Sequence, residues 1–346
     1  MSGFLKFGTK ALHAFPPEMA HQLSLKALKA GLVPTPTLIH DGVLKTRLAG
    51  MDLPNPVGLA AGYDKNGEVI DPLLGLGFGF VECGAVTPRA QAGNPKPRVF
   101  RLSADQAVIN RMGFNNAGLV AMKARLSARA SRYGFVGVNL GANKDSADRT
   151  EDYVTSLTGL EGLASFFTVN ISSPNTPGLR ALQSKASLDE LLGRVMQAKH
   201  AAPIFLKVAP DLKDEDLADI AASVIEHKID ALVVSNTTIE RPDTLMSTDR
   251  AEGGGLSGRP LFERSTALLK SFARELDGNV PLVGVGGIED ADTAYAKIRS
   301  GATAVQFYSA MVYKGPGLVT EIIRGLAERL KADGFASVGE AVGVDV

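Results

Sequence analysis

Short apolar runs and amphipathic helical patterns alternate along the chain with a steady period after residue 40. The candidate strands are the apolar runs 57–59, 80–82, 135–140, 167–171, 204–208, 231–235, 282–285 and 304–308. Helix-length amphipathic segments separate most of them, among them 117–132, 188–200, 215–227 and 290–300. Eight short strands with at least six such connections predict parallel β-α-β units that close into a (β/α)8 barrel, the TIM-barrel class of α/β fold.

The first 40 residues follow a different pattern. One helical face collects the apolar residues Phe4, Leu5, Ala11, Leu12 and Phe15. Pro17 suits the first turn of a second helix, which has a narrow polar stripe and a wide apolar remainder. The two helices could pack on the main domain or form a hairpin that lies in a membrane interface. Amphipathicity alone favours packing, because most such helices face a core.

The chain contains no linker after residue 40 that would separate two globular domains. We therefore predict a small N-terminal two-helix extension over residues 1–40 and one barrel over residues 41–346, since such barrels need about 250 residues. The turn-rich, polar insert 87–109 predicts a hairpin over one mouth of the barrel.

Composition narrows the possible partners. The chain is 45% hydrophobic and 21% charged, which favours a large core over disorder. Lys plus Arg and Asp plus Glu both number 37, so no global field attracts nucleic acid, and we expect no nucleic-acid partner. Cys83 is the only cysteine, and the five histidines have no metal-ligand spacing, so we expect no metal site. No apolar run approaches the roughly 18 residues of a spanning helix, and the N-terminus lacks a signal-peptide core.

Polar residues follow nearly every predicted strand. In (β/α)8 barrels the chemistry lies at the C-terminal strand ends. The residues found there are Asp64 and Lys65, Thr87, Asn139 and Asn143, Asn170 and Ser173, Lys207, Ser235 to Thr238, Gly284 to Gly287, and Tyr308 with Ser309. Turns alone do not account for polar groups at one end of so many strands. The pattern predicts one constructed site.

Segment 166–178 is the most informative of these strand ends, because a buried strand changes there into a stiff polar loop. Asn170 and Asn175 flank a serine pair, and Pro174 and Pro177 restrain the turn. Rigidly held amides and hydroxyls suit recognition of a planar polar molecule. A capped strand-to-helix turn remains the simpler alternative, since Ser, Asn and Pro favour turns.

A lysine and a group of glycines also point to chemistry. Lys207 lies within an apolar strand, where an unpaired ammonium facing the barrel is costly, so it reaches solvent or pairs with an anion such as a reduced flavin. The glycines at 284, 286 and 287 resemble the phosphate cradle found after strands seven and eight of such barrels. Gly258 could add a further backbone contact, and tight turns are the alternative explanation for all four.

These motifs together resemble the dihydroorotate dehydrogenases, specifically the quinone-linked class 2 enzymes. The resemblance runs from about residue 17 to residue 317. It is carried by residues 60–65, 110–114, Asn139, 170–175, Lys207, Asn236 with Thr237, 255–260 and Tyr308 with Ser309. So many ordered motifs make coincidence a poor explanation.

The resemblance implies FMN as the cofactor, bound at the strand ends. The expected FMN-binding residues are Ala61, Gly62, Lys65, Ala85, Asn139, Asn170, Lys207, Ser235, Gly258, Gly287, Tyr308 and Ser309. The expected dihydroorotate-binding residues are Lys65, Asn110, Arg111, Met112, Gly113, Phe114, Asn170, Asn175, Asn236 and Thr237. The residues that resemble a quinone site are His21, Arg101 and Tyr308.

The implied reaction is the oxidation of (S)-dihydroorotate to orotate in de novo pyrimidine (UMP) biosynthesis, with a membrane quinone as terminal acceptor. Ser173 would remove the C5 proton, and Thr176 is our hypothesis for passing that proton outward. Serine is a weak base at neutral pH, so amide and lysine donors must stabilise the developing charge. Cys83 lies away from the base position and is expected to be structural. Two positions depart from the family pattern: Tyr63 replaces Phe or Leu, and Ala85 replaces a common threonine.

The resemblance also reverses the first interpretation of the N-terminus, since class 2 enzymes use those helices as an apolar tunnel mouth at the membrane. We expect a peripheral membrane protein on the cytoplasmic face of the cell membrane, acting as a monomer. Two alternatives stay open: a flavin-free barrel that binds a sugar phosphate, and a soluble dehydrogenase that uses fumarate or NAD. The sequence contains no extra cysteines for the iron–sulfur cluster of an NAD-linked enzyme.

Overall fold

Residues 8–346, the part of the chain described in this computed structural model, contain a closed barrel of eight parallel strands, which confirms the predicted fold class. The barrel strands are β3 (Val57–Leu59), β4 (Phe80–Val86), β7 (Phe135–Leu140), β8 (Phe166–Asn170), β9 (Ile204–Val208), β10 (Ala231–Val234), β12 (Leu282–Val285) and β13 (Ala302–Phe307). Neighbouring strands follow chain order, and β13 closes the barrel by pairing with β3. Strand β4 is longer than predicted. The sequence predicted a strand over residues 80–82, whereas β4 continues through residues 83–86, because these are as buried as its start.

Helices connect the strands and cover the barrel. They are α1 (Pro17–Lys29), α2 (Ile70–Gly75), α3 (Leu119–Ser127), α4 (Arg149–Gly159), α5 (Lys185–Ala198), α6 (Asp214–Glu226), α7 (Phe262–Leu276), α8 (Ala291–Arg299), α9 (Ser309–Lys314), α10 (Leu318–Ala332) and α11 (Val338–Ala341). The predicted helix 117–132 is shorter in the structure. It starts after Gly118, whose φ of 85° lies outside the helical region.

Two small antiparallel sheets lie at opposite ends of the barrel. The hairpin of β1 (Thr46–Leu48) and β2 (Met51–Leu53) packs its apolar residues onto the lower barrel interior. At the other end, β5 (Val99–Leu102) and β6 (Ala107–Asn110) form the hairpin predicted for the insert. A third strand, β11 (Gly255–Gly258), pairs with β6 and was not predicted. The three-stranded sheet therefore covers the C-terminal end of the barrel strands and forms a roof over it.

Aromatic rings fill the lower half of the barrel. Phe166 stacks on Phe205 with ring centroids 4.5 Å apart, and Phe80 meets Phe166 edge-on at 6.0 Å. Gly58 and Gly137 make room for these rings, since a Cβ there would approach the rings of Phe80 and Phe166 to 2.3 Å and 2.1 Å. The barrel is thus closed below by packed side chains, and only its upper end is available for ligands.

The N-terminal segment lies against this upper end. Residues 8–12 are helical, whereas Phe4 and Leu5 of the predicted apolar face lie outside the described residues. The following helix α1 is held by Glu18, whose carboxylate accepts hydrogen bonds from Arg98 at 2.7 and 3.3 Å and lies 3.4 Å from Lys96. Arg98 is itself only 7% exposed, so this is a largely buried ion pair.

The apolar remainder of this segment is only partly covered. Leu28 is the one fully buried residue of α1, while Phe15, Met19 and Leu32 remain 41%, 49% and 68% exposed. Packing on the barrel, the interpretation favoured by amphipathicity alone, therefore accounts for part of the apolar surface. None of the helices within residues 8–346 combines the length and the apolar character needed to cross a bilayer.

Candidate active site

A cavity of about 520 Å³ opens above the packed rings, between the barrel strand ends, the three-stranded roof and α1. Nearly every residue proposed from the sequence lines it. These residues are His21, Ala61, Gly62, Lys65, Ala85, Arg101, Asn110, Met112, Gly113, Phe114, Asn139, Asn170, Ser173, Asn175, Lys207, Ser235, Asn236, Thr237, Gly258, Gly287, Tyr308 and Ser309. Residues far apart in the chain therefore converge on one space.

Two of the residues assigned to FMN, substrate, quinone or catalysis do not line the cavity, and neither do the strand-end residues Asp64, Thr87, Asn143, Thr238 and Gly284. The Arg111 guanidinium bonds Glu252 at 2.6 Å and lies 4.5 Å from the ring centroid of Phe100, so its side chain is engaged elsewhere. Thr176 is buried, with 4% of its surface exposed, and stays outside the lining. Its hypothetical proton relay rests on its nearness to Ser173 in sequence.

The floor of the cavity is a chain of buried amides that starts from one carboxylate. Glu82 of β4, which is fully buried, accepts hydrogen bonds from Asn139 at 2.7 Å and from Gln306 at 2.6 Å. Asn139 then accepts from Asn170 at 2.9 Å, and Asn170 accepts from Asn236 at 3.2 Å. Side chains from four strands and one loop are thereby fixed in a single orientation.

Glu82 and Gln306 were missed at the sequence level. The available signal was a carboxylate in the middle of the apolar run Phe80 to Cys83. Such a charge is rarely buried without partners, so it marks an inward-facing polar layer.

Lys207 projects into this layer from β9, beside Asn170 in the parallel register. It is 5% exposed and has no hydrogen-bond or salt-bridge partner among residues 8–346. Burial lowers the pKa of its ammonium, and the charge of Glu82 acts in the opposite direction. The sequence left two possibilities for Lys207, contact with solvent or pairing with an anion. In the structure its side chain does not reach bulk solvent. The cavity therefore presents a buried cation that an anionic ligand would neutralise.

Ser173 follows β8 and faces the cavity with 6% of its surface exposed. Its Oγ accepts the backbone N–H of Asn175 at 3.3 Å, and the side chain of Asn175 donates to Asn110 Oδ1 at 3.3 Å. No carboxylate or imidazole contacts Ser173 Oγ within the described chain. Ser173 thus lacks the hydrogen-bonded base partner that activates serine nucleophiles.

An arginine behind the loop holds it to the neighbouring strand end. Arg180 donates to Ser172 O at 3.1 Å, to Thr237 O at 3.1 Å and to Asp211 at 2.9 Å. One planar guanidinium thereby ties the loop after β8 to the loop after β10. Sequence reasoning missed Arg180, because nothing in its local pattern separates it from a surface arginine.

Three glycines line one part of the cavity. Gly258, Gly286 and Gly287 have φ of 97°, 109° and 75°, a region that favours glycine. A Cβ on Gly287 would lie 2.4 Å from the Cα of Phe262, so a side chain cannot fit there. Ser309 reaches the same part, with its Oγ 2.7 Å from that of Ser257. Cavity-lining main chain and a hydroxyl pair fit the predicted phosphate cradle better than a tight turn alone.

Lys65 is the second cation of the cavity. It is half-buried because it faces the cavity, yet protein surrounds it, and its Nζ donates to Gly62 O. Burial, assisted by the charge of Arg98, lowers the pKa of Lys65 to about 8, although Glu18 and Asp64 oppose the shift. Asp64 accepts instead from the backbone of residues 68 and 69 at 2.8 and 2.7 Å. No salt bridge joins Lys65 to the adjacent Asp64 in the described chain.

The opposite half of the cavity lies under the N-terminal segment and is mainly apolar. His21 of α1 meets Tyr63 edge-on with ring centroids 5.2 Å apart, and Tyr308 meets Tyr63 at 5.4 Å. His21 Nδ1 is 3.4 Å from Tyr308 Oη, and Tyr63 Oη is 3.0 Å from Ser24 Oγ. Burial, with the charge of Lys65, lowers the pKa of His21 to about 3, so its ring is neutral at physiological pH.

Arg101 lies apart from this aromatic group. Its guanidinium donates to the carbonyl oxygens of His13, at 3.1 Å, and of Phe15. It therefore fastens the start of the N-terminal segment to β5. Cys83 is fully buried in β4 outside the cavity, and burial raises the pKa of its thiol, which fits the structural role expected for it.

Comparison with known proteins agrees with this geometry. A family model described as dihydroorotate dehydrogenase matches residues 43–330. The protein called dihydroorotate dehydrogenase (quinone) from Parvibaculum lavamentivorans is 57% identical over 331 residues, which covers 95% of each chain. The protein of the same name from Mesorhizobium japonicum is 54% identical over 344 residues, 98% of this chain and 96% of that one.

A solved structure gives the same answer for the fold. The ligand-free DHODH of Eimeria tenella superposes with a TM-score of 0.92 at 38% identity, over 95% of this chain and 99% of that chain. Its likeness extends across the N-terminal helix as well as the barrel, given that coverage. The chain therefore belongs to the dihydroorotate dehydrogenase family, in its quinone-dependent class.

Proposed function

We propose that this protein oxidises (S)-dihydroorotate to orotate in de novo pyrimidine biosynthesis, with FMN as hydride acceptor and a membrane quinone as terminal acceptor. Relatives that carry this activity in their names support the reaction class. The observation that carries the proposal is Lys207, a buried cation with no hydrogen-bond or salt-bridge partner among residues 8–346, in a cavity built from the strand ends of the barrel.

The residues of the cavity fit FMN. Gly258, Gly287 and Ser309 would hold its phosphate, because they offer main chain and a hydroxyl that line the cavity. Lys207, Asn139 and the neighbouring residues Ala61, Gly62, Ala85, Asn170 and Ser235 would line its ring system. When bound, FMN supplies a two-electron acceptor for the hydride at C6 of the substrate.

Substrate would occupy the space between Lys65 and the asparagines. Lys65 offers a cation for the substrate carboxylate, while Asn110, Asn175, Asn236 and the backbone of residues 111–114 offer amide groups for the planar ring. Thr237 Oγ1 is buried and has no hydrogen-bond partner in the described part of the chain, which leaves it available to substrate. These fixed donors would stabilise negative charge as the C5 proton leaves.

Ser173 would accept the C5 proton. Its Oγ already receives the Asn175 N–H, which lowers the basicity of the oxygen, so the amide and lysine donors around the substrate must lower the barrier. Thr176 remains a proposed relay for the proton.

Quinone would enter under the N-terminal segment, beside His21 and Tyr308, with Arg101 holding the segment in place. The exposed Phe15, Met19 and Leu32 would contact the membrane surface, which makes the protein a peripheral protein of the cytoplasmic membrane face. Residues 1–40 would thus contact quinone and the membrane, and residues 41–346 would bind FMN and dihydroorotate. The protein would act as a monomer.

The test of the proposed function is the absorption spectrum of the purified protein. We expect a flavin spectrum that bleaches when dihydroorotate is added without an acceptor. A colourless protein that takes up no FMN would refute the flavoprotein assignment and favour the flavin-free phosphate-binding barrel.

A second measurement tests the terminal acceptor. We expect turnover with ubiquinone analogues and little with fumarate or NAD, and the reverse profile would overturn the quinone assignment. Deletion of residues 1–33 should impair quinone turnover more than flavin reduction. Equal loss of both would make the segment purely structural.

A further inference from the structure

A second buried lysine lies directly behind the phosphate cradle. Lys297 of α8 is fully buried, and its Nζ donates to Ser265 Oγ at 2.6 Å. Its Nζ also lies 5.4 Å from the ring centroid of Phe262. No carboxylate forms a salt bridge with it among residues 8–346. Burial lowers the pKa of its ammonium well below the usual value, although the charge of Glu263, in the first turn of α7, opposes this shift. A lysine so placed is costly unless something compensates for its charge.

The surroundings of Lys297 add to this cost. Phe262 and Ser265 belong to the first turn of α7, a 15-residue helix whose start has no side-chain cap. The N-terminus of a helix carries partial positive charge, so a cation beside it is unfavourable. Lys297 does lie in the last turn of its own helix, where a basic residue is favourable, but its ammonium is bonded to α7 instead.

Lys297 connects to the cradle through the hydroxyl of Ser265. Ser265 Oγ, which receives the lysine, lies 3.1 Å from Gly286 O, to which it donates. Gly287 packs on the start of α7 so closely that a Cβ would lie 2.4 Å from Phe262 Cα. The buried ammonium and the helix start therefore both direct positive potential at residues 286 and 287 from beneath.

We infer that Lys297 is an electrostatic positioning residue for the cradle, which strengthens binding of a phosphate dianion at residues 286 and 287 without touching it. The inference rests on the proposed function, because FMN is the phosphate-bearing ligand proposed there. In the absence of ligand, burial disfavours the charged form of Lys297, and a bound phosphate dianion would favour it.

The inference predicts opposite effects on ligand and on apoprotein. Lys297→Met keeps the volume and removes the charge, so FMN should bind about 10- to 100-fold more weakly, as expected for loss of one buried charge near a dianion. Riboflavin has the same ring system and no phosphate, and its affinity should change less than about twofold. The apoprotein should melt at a higher temperature, because an uncompensated buried charge is gone.

The experiment measures FMN and riboflavin affinities by flavin fluorescence, together with thermal unfolding of the apoprotein. The matched control is Lys270→Met, which deletes an equal charge from α7, the helix that the Lys297 ammonium contacts, at a surface position where Lys270 bonds Asp345 O. We expect its FMN-to-riboflavin ratio to equal that of the wild type. Lys297→Gln preserves a hydrogen bond to Ser265 without the charge, and serves as the second variant if Lys297→Met fails to fold.

A loss of FMN affinity matched by an equal loss of riboflavin affinity would overturn the inference, since it marks a structural role. So would an unchanged FMN affinity. Wild-type protein that binds neither flavin would instead refute the proposed function, and the two failures are therefore distinguishable.

Discussion

The two halves of the cavity are built in different ways. The half at the strand ends is polar and tightly bonded: the Glu82, Asn139 and Asn170 side chains are joined at 2.7 and 2.9 Å and are almost completely buried. The half under α1 is lined by apolar and aromatic residues, and parts of its cover, such as Met19 and Leu32, are exposed.

The difference matches what each half is proposed to do. A polar substrate that must be held in one orientation needs donors and acceptors that cannot reorganise. A long apolar acceptor needs little more than an apolar passage and an open mouth. If each half serves one half-reaction, a substitution in the polar half should slow flavin reduction without slowing reoxidation by quinone. A substitution in the apolar half should have the opposite effect.

The largest effect should come from Ser173→Ala. Loss of a general base lowers a rate by about 10²- to 10⁴-fold, and we expect that loss in flavin reduction by dihydroorotate under stopped-flow conditions. FMN should stay bound, and quinone should reoxidise chemically reduced enzyme at the wild-type rate. Ser173→Cys supplies another proton acceptor and should recover part of the rate. Near-normal reduction in the alanine variant would remove Ser173 from this role.

The next effect concerns the foundation of the polar half. In Glu82→Gln, the amide nitrogen cannot accept the hydrogen bond that Asn139 or Gln306 now donates to the carboxylate. The variant leaves one buried N–H donor without an acceptor and also removes a buried charge. Together these changes should lower the free energy of unfolding by roughly 3 kcal/mol.

Denaturant unfolding measures this cost, with Glu328→Gln on the exposed face of α10 as the control. The control makes no charged contact of its own in the described structure and should leave the midpoint unchanged. Equal midpoints for both variants would mean that the amide chain above Glu82 reorganises freely, contrary to the contrast drawn between the halves.

The apolar half depends on the ion pair that holds α1. Glu18→Gln weakens the contacts with Arg98 and Lys96, which are the strongest charged contacts of that helix. We expect quinone turnover to fall about tenfold, equivalent to roughly 1.4 kcal/mol, while flavin reduction stays unchanged. Glu68→Gln is the matched control, since Glu68 contacts Lys29 of α1 only at 3.9 Å on the surface. An equal fall in both half-reactions would show that α1 also organises the substrate half.

Sequence reasoning reached the two halves unequally. In the polar half, strand positions follow from apolar runs, and barrel topology then places Asn139, Asn170, Ser173 and Lys207 at one end. That inference needs no knowledge of side-chain packing. The family resemblance then supplied the ligands, and the cavity contains all but two of the residues named for it.

Side-chain contacts between distant segments could not be read from the sequence. Glu82 and Gln306 are 224 positions apart in the sequence. Arg180 joins two loops, and one of the residues it bonds, Thr237, is 57 positions away. Strand β11 was missed because its glycines read as a turn, and only its pairing with β6 makes it a strand. For Arg101, resemblance suggested a quinone role, whereas its observed bonds are to main-chain carbonyls of the N-terminal segment.

The smallest effect is a difference in pH dependence between the halves. With a pKa of about 8, Lys65 is a cation below that pH and neutral above it, so the free enzyme loses the charge proposed to bind the substrate carboxylate. The kcat/KM for dihydroorotate should therefore fall, by up to about tenfold per pH unit above pH 8. His21, with a pKa of about 3, stays neutral from pH 5 to 9, so reoxidation by quinone should show no inflection from it. Separate pH profiles of the two half-reactions measure both.

In Lys65→Arg the alkaline fall should disappear, because a guanidinium keeps its charge throughout this range. A fall that persists in that variant, or that appears equally in quinone reoxidation, would assign the titration to another group and remove the electrostatic part of the contrast.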